Sequence, residues 1–289
     1  MELLKLNLTE FRKIAKFVYE RTGIDLPESK VTLLSNRLRK RLRELKLDSF
    51  DAYYALLCDT ARCEEELPHF LSAVTTNETY FFRNESLWKF FRSEWIPEIV
   101  ERKKASKMIR IWSAASSSGE EAYTTVMCLR EDLPNFSTWN IRVIASDISQ
   151  RVLDRAKLGE FNDYSVSKMP EALRKKWFVT TGDKHVLKGE LRKLVSFRFH
   201  NLRDPFPDAN FDLVFLRNVL MYFDTPMKLK VLETVTRALV PGGKLIVGDV
   251  NPLRNTPELN AALELDYCGS NVYEKPGLKT AAVGGAVKG

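Results

Sequence analysis

Residues 109–121 (Ile-Arg-Ile-Trp-Ser-Ala-Ala-Ser-Ser-Ser-Gly-Glu-Glu) constrain the fold more than any other stretch of the chain. They read as a short apolar strand, a loop of very small side chains and the start of a helix. A second strand-like run, at 141–146, ends in Asp147. In parallel α/β sheets the carboxyl ends of neighbouring strands lie at one edge, where ligands bind. The two segments therefore predict a pocket in which the Asp147 carboxylate lies beside the loop.

The composition of this loop limits the ligand. A pyrophosphate-binding turn needs several glycines for close backbone approach and free N–H donors, whereas this loop has only Gly119. Small residues followed by carboxylates suit a ligand with ribose hydroxyls and an amino-acid portion. Asp147 would then accept hydrogen bonds from the ribose diol, and Glu121 would face the polar or cationic part. S-adenosylmethionine carries these groups, although an ordinary crossover with tight packing is the open alternative.

Length and composition narrow the class of protein. The 289 residues suffice for a full core and favour a large and a small domain. The net charge of +7, with acidic residues interspersed, favours an acidic partner surface over nucleic acid. Four cysteines without a CxxC pair and three scattered histidines predict no metal site. Without a leader or a run of roughly twenty apolar residues, we expect a cytoplasmic monomer with no direct membrane insertion.

Residues 1–75 carry apolar residues at helical spacing, which predicts an all-helical N-terminal domain. The first helix has Thr9 as a candidate cap and Gly23 as its end, and its apolar face consists of Phe11, Ile14, Phe17 and Val18. The second helix follows Pro27, and its apolar stripe consists of Leu33, Leu34, Leu38 and Leu42.

Five basic residues crowd the other faces of this second helix: Arg37, Arg39, Lys40, Arg41 and Arg43. One interpretation is a solvated helix face, which is what most charge runs are. The other is a docking surface that attracts an acidic helical partner through a contact weakened by salt.

From residue 84 to about 278 the pattern changes to alternating strands and helices, which predicts a doubly wound α/β sheet. The predicted strands are 108–113, 141–146, 195–199, 211–215 and 244–247. A helix at 228–239 precedes Pro241-Gly242-Gly243, which we interpret as a turn into the last of these strands. Residues 263–267 and 271–275 read as a closing hairpin that adds an antiparallel strand at one edge of the sheet.

Two further segments stand apart from this sheet. Residues 161–194 are more than a crossover requires, and 179–187 looks like a hairpin within them, so we expect a small inserted β subdomain. The low-complexity tail at 279–289 is expected to be disordered.

Three segments outside the first loop are expected at the pocket. The junction at 76–83 sets polar residues beside aromatic ones, and polar groups next to buried aromatics usually have a partner. After the third strand, Asn201 could bond the edge of an adenine and Leu202 could cover its face. After the fourth strand, 216–224 would lie where the sulfonium of a methyl donor sits, although Asn218 could instead be a helix cap.

With these residues in view, the chain resembles the chemotaxis receptor methyltransferase family, which uses S-adenosylmethionine to esterify glutamates on chemoreceptors. The family motifs match at 75–83 (Thr-Thr-Asn-x-Thr-x-Phe-Phe-Arg), 146–148 (Ser-Asp-Ile), 201–202 (Asn-Leu) and 217–223 (Arg-Asn-Val-x-x-Tyr-Phe). The loop motif matches at 117–124 with three small-for-small departures, at Ser118, Ala122 and Thr124.

The resemblance implies a Rossmann-like S-adenosylmethionine-dependent methyltransferase sheet behind a helical N-terminal domain, with the inserted β subdomain. It implies that the cofactor contacts are Asn77, Thr79, Arg83, Ala114, Glu121, Asp147, Asn201, Leu202, Asn218 and Val219. In some members the insert docks a receptor tail peptide, but no Gly-rich loop between its strands supports that here. The implied partner is the acidic helical methylation region of chemoreceptors, and the basic helix would steer it.

The implied chemistry needs no general base, because a glutamate side chain is already ionised at neutral pH. What the enzyme must supply is orientation of a carboxylate oxygen towards the methyl carbon, which can be worth roughly 7 to 11 kcal/mol. Arg83 is the first candidate to hold that carboxylate, since a guanidinium matches it bidentately, and Tyr222 is the second.

Three alternatives stay open on the sequence. A nucleic-acid methyltransferase fits the basic charge, but its usual Asn-Pro-Pro-Tyr motif is replaced by Leu-Arg-Asn-Val at 216–219. A non-catalytic S-adenosylmethionine-binding signalling module is the second. The third is a carboxyl methyltransferase that serves a sensory array outside chemotaxis.

Overall fold

The computed structural model describes residues 4–248, residue 253 and residues 262–277, so the tail predicted at 279–289 lies outside the described residues. Four helices come first: Leu8–Thr22 (α1), Val31–Glu44 (α2), Phe50–Cys58 (α3) and Thr60–Val74 (α4). Their apolar faces form one buried cluster. The all-helical N-terminal part is confirmed, while its boundary at residue 75 stays a prediction.

The first helix begins at a different cap from the predicted one. Asn7 Oδ1 accepts a hydrogen bond from Glu10 N at 2.9 Å, and the Glu10 carboxylate accepts one from Asn7 N at 2.9 Å. This capping box satisfies two backbone N–H groups at the helix start, so the prediction of Thr9 as the cap was wrong. Gly23 ends the helix as predicted, with a left-handed φ of 76°.

The apolar stripe of α2 contains three of the four predicted leucines. Leu34, Leu38 and Leu42 are buried, but Leu33 is 40% exposed. Successive residues are about 100° apart around a helix, so Leu33 points away from the core side occupied by Leu34. Its inclusion in the buried stripe was wrong.

The remaining helices and strands alternate along the rest of the chain. The helices are Glu85–Phe90 (α5), Ile96–Lys103 (α6), Glu120–Asp132 (α7), Gln150–Leu158 (α8), Asp163–Val166 (α9), Glu171–Trp177 (α10), Gly189–Arg192 (α11) and Thr225–Ala238 (α12). The strands are Met108–Ala114 (β1), Asn140–Asp147 (β2), Glu160–Asn162 (β3), Phe178–Thr181 (β4), Lys184–Leu187 (β5), Val195–Phe199 (β6), Phe211–Leu216 (β7), Leu239–Val247 (β8), Asp266–Gly269 (β9) and Val272–Glu274 (β10).

The main sheet has seven strands in the order β6-β2-β1-β7-β8-β10-β9. The first five are parallel, and β10 is antiparallel to both β8 and β9. This confirms the Rossmann-like methyltransferase sheet with its antiparallel hairpin. The hairpin differs in detail, because its strands are shorter than predicted and the antiparallel strand β10 lies second from the edge.

The Pro-Gly-Gly segment at 241–243 lies within β8 and is not a turn before it. The register of β8 against β7 shifts between Phe211 and Leu213. A Cβ on Gly243 would stand 2.8 Å from Val240 O and 2.9 Å from Phe211 O. Glycine is therefore needed for close approach of the two strands at a bulge, and the interpretation as a chain reversal was wrong.

The inserted subdomain is a three-stranded antiparallel sheet in the order β3-β5-β4. The hairpin predicted at 179–187 corresponds to β4 and β5, whereas β3 was not predicted. The insert joins the main core through aromatic rings, with Phe81 4.8 Å from Phe161 and 5.3 Å from Phe178 between ring centroids. The insert is thus packed against the junction.

The described residues also bear on membrane-spanning segments and metal sites. None of their helices has both the length and the apolar character needed to cross a membrane. They also contain no group of three or more His, Cys, Asp or Glu placed to hold a metal ion. All four cysteines are free thiols.

Candidate active site

A cavity of about 540 Å³ lies at the carboxyl ends of β1, β2, β6 and β7, beneath the N-terminal helices. The parallel strands bring their ends to one edge of the sheet, as the sequence predicted. Of the residues assigned to catalysis or cofactor binding, ten line this cavity: Asn77, Thr79, Arg83, Glu121, Asp147, Asn201, Leu202, Asn218, Val219 and Tyr222. The structure therefore brings together segments that are far apart in sequence.

Ala114 is the exception among the predicted cofactor residues. It is the last residue of β1, is 1% exposed and packs in the core beneath the cavity. The next residue, Ala115, lines the cavity instead. The strand continues one residue further than the sequence indicated, and the assignment of Ala114 as a cofactor contact stays a prediction.

The loop between β1 and α7 follows a sharply turning path. Ala115 and Ser117 have left-handed φ values of 59° and 51°, and Gly119 has 91°. Such backbone is costly outside glycine and persists only where neighbouring groups hold it. Ser116 N donates to Ser146 O, and the Ser117 hydroxyl donates to Asn77 O, both at 2.9 Å. The loop is therefore fixed both to β2 and to the junction.

Asp147 at the end of β2 fixes the loop and faces the cavity. Its Oδ2 accepts a hydrogen bond from Ser117 N and its Oδ1 accepts one from Ser149 N, both at 2.9 Å. Burial raises the pKa of the Asp147 carboxyl, and these N–H donors oppose that shift. Each oxygen keeps a second lone pair, so the carboxylate can accept two further hydrogen bonds from a diol.

Glu121 does not face the cavity as a free anion. Its Oε2 lies 2.9 Å from Arg217 Nη1, and its Oε1 accepts a hydrogen bond from the Ser113 hydroxyl at 2.7 Å. Glu121 still lines the cavity, so its expected contact with the polar or cationic part of the ligand stays a prediction. A ligand ammonium group would share this carboxylate with Arg217.

Arg217 lines the cavity but is not among the predicted contacts, although it begins the Arg-Asn-Val-x-x-Tyr-Phe motif at 217–223. It is 7% exposed, and its Nη2 donates to Arg83 O at 3.0 Å while its Nη1 binds Glu121. One buried guanidinium thus links the first helix after the loop, the junction and the end of β7. Its position directly after a buried strand was the available signal.

Asn201 is already engaged with the N-terminal helices. Its Nδ2 donates to Arg21 O at 2.8 Å, and its Oδ1 accepts from Arg203 N at 3.2 Å. One N–H and one lone pair are left for a ligand. The neighbouring Leu202 is 8% exposed and offers an apolar surface to the same part of the cavity.

Arg83 and Tyr222 both line the cavity. Arg83 Nη1 donates to Glu78 O at 2.8 Å, and its Cζ lies 5.7 Å from the centre of the Tyr80 ring. Among the described residues, Arg83 forms no ion pair with a carboxylate. Tyr222 ends a 3₁₀ turn, Leu220–Tyr222, and its backbone oxygen accepts from Asp25 N at 2.8 Å. An arginine without a carboxylate partner is thus available to an anionic substrate.

The five basic residues of α2 do not form one surface. Arg37 lines the cavity and donates to Val74 O and to Thr76 Oγ1, both at 2.8 Å. Burial lowers the pKa of its guanidinium. Arg39 and Arg43 lie about 200° and 240° around the helix from Arg37. Lys40 is the exposed member nearest the side of Leu33 and Arg37. The five basic residues therefore lie on more than one side of α2, and their role as a docking surface stays a prediction.

Arg41 forms an ion pair with a buried carboxylate inside the helical domain. Its Nε and Nη2 bind the Glu66 carboxylate at 2.6 to 2.9 Å, and Glu66 is 3% exposed. The Tyr53 hydroxyl donates to the same carboxylate at 2.6 Å. Hydrogen bonds to Glu66 raise the pKa of Arg41, although burial opposes this.

We expect Arg41→Ala to lower the free energy of unfolding by about 3 kcal/mol, because it leaves the Glu66 carboxylate buried without its cation. Arg43→Ala, on the exposed side of the same helix, should change it by no more than about 0.5 kcal/mol. Urea unfolding followed by circular dichroism measures both. Equal effects of the two substitutions would show that the buried pair contributes nothing of its own.

The sequence is similar to known protein families and to curated proteins. Models described as "CheR methyltransferase, all-alpha domain" and "CheR methyltransferase, SAM binding domain" match residues 9–75 and 77–267. A "Probable chemotaxis protein methyltransferase" of Rhizobium etli is 32% identical over 236 residues, which cover 80% of this chain and 88% of that protein. The "Chemotaxis protein methyltransferase 2" of Pseudomonas aeruginosa is 36% identical over 247 residues, with coverage of 83% and 85%. A "Chemotaxis protein methyltransferase" of Borreliella burgdorferi is 32% identical over 272 residues, with coverage of 91% and 96%.

Proposed function

The chain belongs to the CheR methyltransferase family and is an S-adenosylmethionine-dependent methyltransferase, and we propose that it forms methyl esters on glutamate side chains of chemoreceptors. The observation that carries the proposal is the guanidinium of Arg83, which lines the cofactor cavity without a carboxylate partner among the described residues. A substrate carboxylate would complete it.

The cavity residues fit the three parts of S-adenosylmethionine. We assign the ribose diol to Asp147, whose two oxygens each keep a free lone pair. The amino-acid portion, which carries both charges, matches the paired Glu121 and Arg217 together with the polar Asn77 and Thr79. We assign the adenine to the apolar side of the cavity at Leu202, with Asn201 at its edge. Asn218 and Val219, directly after β7, line the same cavity.

The proposed reaction needs orientation more than proton transfer. The bound cofactor supplies a methyl group made electrophilic by its sulfonium. A glutamate carboxylate has a pKa near 4.3 and is ionised at neutral pH, so its oxygen can form the new bond without a base.

Arg83 would hold the substrate carboxylate, and the hydroxyl of Tyr222, which also lines the cavity, would contact it. A guanidinium can bind one oxygen while the other points at the methyl group. Binding must not be so strong that it stabilises the ground state as much as the transition state. The hydrogen bond from Arg83 to Glu78 O moderates this, since part of the guanidinium is already engaged.

We further propose that Lys30 and Lys40, on the side of α2 that carries Leu33 and Arg37, steer the acidic methylation helices of the receptor. Lys30 lines the cavity and is exposed. Lys40 is exposed, and its Nζ lies 3.9 Å from Glu44 Oε1 one turn further along the helix. Positions 33, 37 and 40 recur at i, i+4 and i+7, so they share one face of the helix. Positive charge on this face raises the encounter rate with an acidic partner.

Charge-reversal substitutions on the two sides of α2 test whether the effect depends on position. Lys30→Glu with Lys40→Glu should raise KM for a receptor fragment by about tenfold and flatten its salt dependence, with kcat unchanged. The matched control is Arg39→Glu with Arg43→Glu, which makes the same change of charge on the other side and should shift KM by less than about twofold. Methyl transfer assayed across a salt series measures this. Equal shifts of KM for both pairs would show that only the net charge of the protein matters, and would contradict steering by Lys30 and Lys40.

The ester itself is tested by transfer of labelled methyl from S-adenosylmethionine to receptor cytoplasmic fragments of the same cell, followed by mild alkali. Release of the label as methanol supports a carboxyl ester. Cofactor binding without transfer to any receptor would favour the non-catalytic signalling module. Alkali-labile transfer to another protein, but not to receptors, would favour a sensory array outside chemotaxis.

A further inference from the structure

The backbone on both sides of Arg83 adopts conformations that side chains disfavour. Phe82 has a φ of 57° and Asn84 has a φ of 70°, and neither is glycine. Left-handed backbone is sterically costly for a bulky residue such as Phe82, though asparagine adopts it more readily, and at Phe82 it persists only where the surroundings hold it. Whatever holds this segment also determines where the Arg83 side chain begins.

Part of that support comes from the insert, through the short helix α9. Phe81 N donates to Ser165 O at 2.9 Å, two residues before Arg83. The Tyr164 hydroxyl donates to Glu78 Oε1 at 2.7 Å. The Tyr164 ring also meets the Tyr80 ring edge to face, with 6.0 Å between centroids. Two consecutive residues of α9 therefore contact the junction at three places.

The two residues contacted by Tyr164 are the two that hold the guanidinium. Arg83 Nη1 donates to the backbone oxygen of Glu78 at 2.8 Å, and Arg83 Cζ lies 5.7 Å from the centre of the Tyr80 ring. We propose that α9 of the insert positions Arg83 for transfer, with Tyr164 as the positioning residue. This inference rests on the proposed function, in which Arg83 holds the substrate carboxylate.

Hydrogen bonds hold helix α9 in place, so α9 can in turn fix the position of the junction. The Ser165 hydroxyl donates to Glu120 Oε1 at 3.1 Å, and the Ser118 hydroxyl donates to Glu120 Oε2 at 2.8 Å. Glu120 is 1% exposed and is the first residue of α7. Asn162 Oδ1 caps α9 by accepting from Ser165 N at 3.0 Å. Hydrogen bonds thus connect the insert both to the loop between β1 and α7 and to the junction at 76–83.

Substitutions at Tyr164 test this by their effect on turnover. Tyr164→Phe keeps the ring contact but loses the hydrogen bond, and we expect kcat to fall by about threefold. Tyr164→Ala loses both contacts, and we expect a fall of about tenfold. The Kd for S-adenosylmethionine should stay within about twofold in both. Val179→Ala, at an exposed position on β4 of the same insert, is the matched control and should leave kcat unchanged.

A double-mutant cycle shows whether Tyr164 acts through Arg83. In an Arg83→Ala background, Tyr164→Ala should cost less than about twofold, because the group that it positions is gone. The same tenfold loss in both backgrounds would overturn the proposal. So would a weakened Kd for the cofactor with unchanged kcat, which would place the effect in the cofactor site.

Hydrogen exchange supplies a readout that needs no receptor. In Tyr164→Ala, amides of residues 78–84 should exchange about threefold faster than in wild type, and in Val179→Ala they should not. Unchanged exchange would overturn the inference even if transfer were slowed. If the wild-type protein methylated no receptor, the proposed function would fail, and the exchange result alone would decide whether α9 holds the junction.

Discussion

Replacing Arg83 by alanine is expected to lower the rate of methyl transfer to a receptor fragment by about 10²- to 10³-fold, with cofactor affinity kept within about threefold. The loss follows from the charge-assisted hydrogen bonds that the guanidinium would make to the substrate carboxylate, each worth roughly 1.5 to 3 kcal/mol. Because the carboxylate is already ionised, orientation is the main contribution that the protein makes. Single-turnover transfer of labelled methyl measures the rate, and calorimetry measures cofactor binding.

Two further variants sharpen this test. Arg83→Lys keeps the charge but loses the planar fork, so its rate should lie between those of wild type and Arg83→Ala. Arg151→Ala removes an exposed arginine on α8 and serves as the matched control, with an unchanged rate expected. Turnover of Arg83→Ala at the wild-type rate would remove Arg83 from the substrate site. A loss confined to cofactor affinity would assign it to the cofactor instead.

Replacing Asp147 by asparagine is expected to weaken S-adenosylmethionine binding by about 100-fold or more. Two bonds from the ribose to a charged acceptor become bonds to a neutral amide, and each bond to a charged group is worth roughly 1.5 to 3 kcal/mol. The new amide NH₂ would also face the N–H of Ser117 or of Ser149, and two donors facing each other form no hydrogen bond. The effect should therefore exceed that of losing one charge at the surface.

The matched control is Asp154→Asn on the exposed side of α8, which should leave binding unchanged. Thermal melting without cofactor separates binding from loop stability, because Asp147 also fixes Ser117. Wild-type affinity in Asp147→Asn would contradict its assignment to the ribose. A lowered melting temperature with unchanged affinity would limit its role to the loop.

The sheet and the position of the cavity were predictable because local patterns determine them. Four parallel strands appeared within one or two residues of their predicted bounds, since buried parallel strands are short apolar runs between loops. The carboxyl ends of such strands must meet at one edge, which is why Asp147, Asn201 and Asn218 come together. The hairpin of the insert carried the same kind of local signal in its glycine turn.

The pairing of charges could not be predicted, because it depends on which segments pack together. Arg41 and Arg43 are two residues apart on one helix, yet only Arg41 meets Glu66 from another helix. Glu121 was expected to face the ligand, but its ion pair with Arg217 could not be foreseen because Arg217 lies far along the chain. The end of β1 differs by one residue for a more local reason, since the end of a strand is the least certain part of a sequence pattern.

The most direct test of the glutamate ester is peptide mapping by mass spectrometry of receptor cytoplasmic fragments after incubation with the protein and S-adenosylmethionine. We expect the added mass of one methylene on glutamate side chains of the acidic helices, lost on mild alkali and nearly absent with Arg83→Ala. The same added mass on lysine or arginine, stable to alkali, would contradict it.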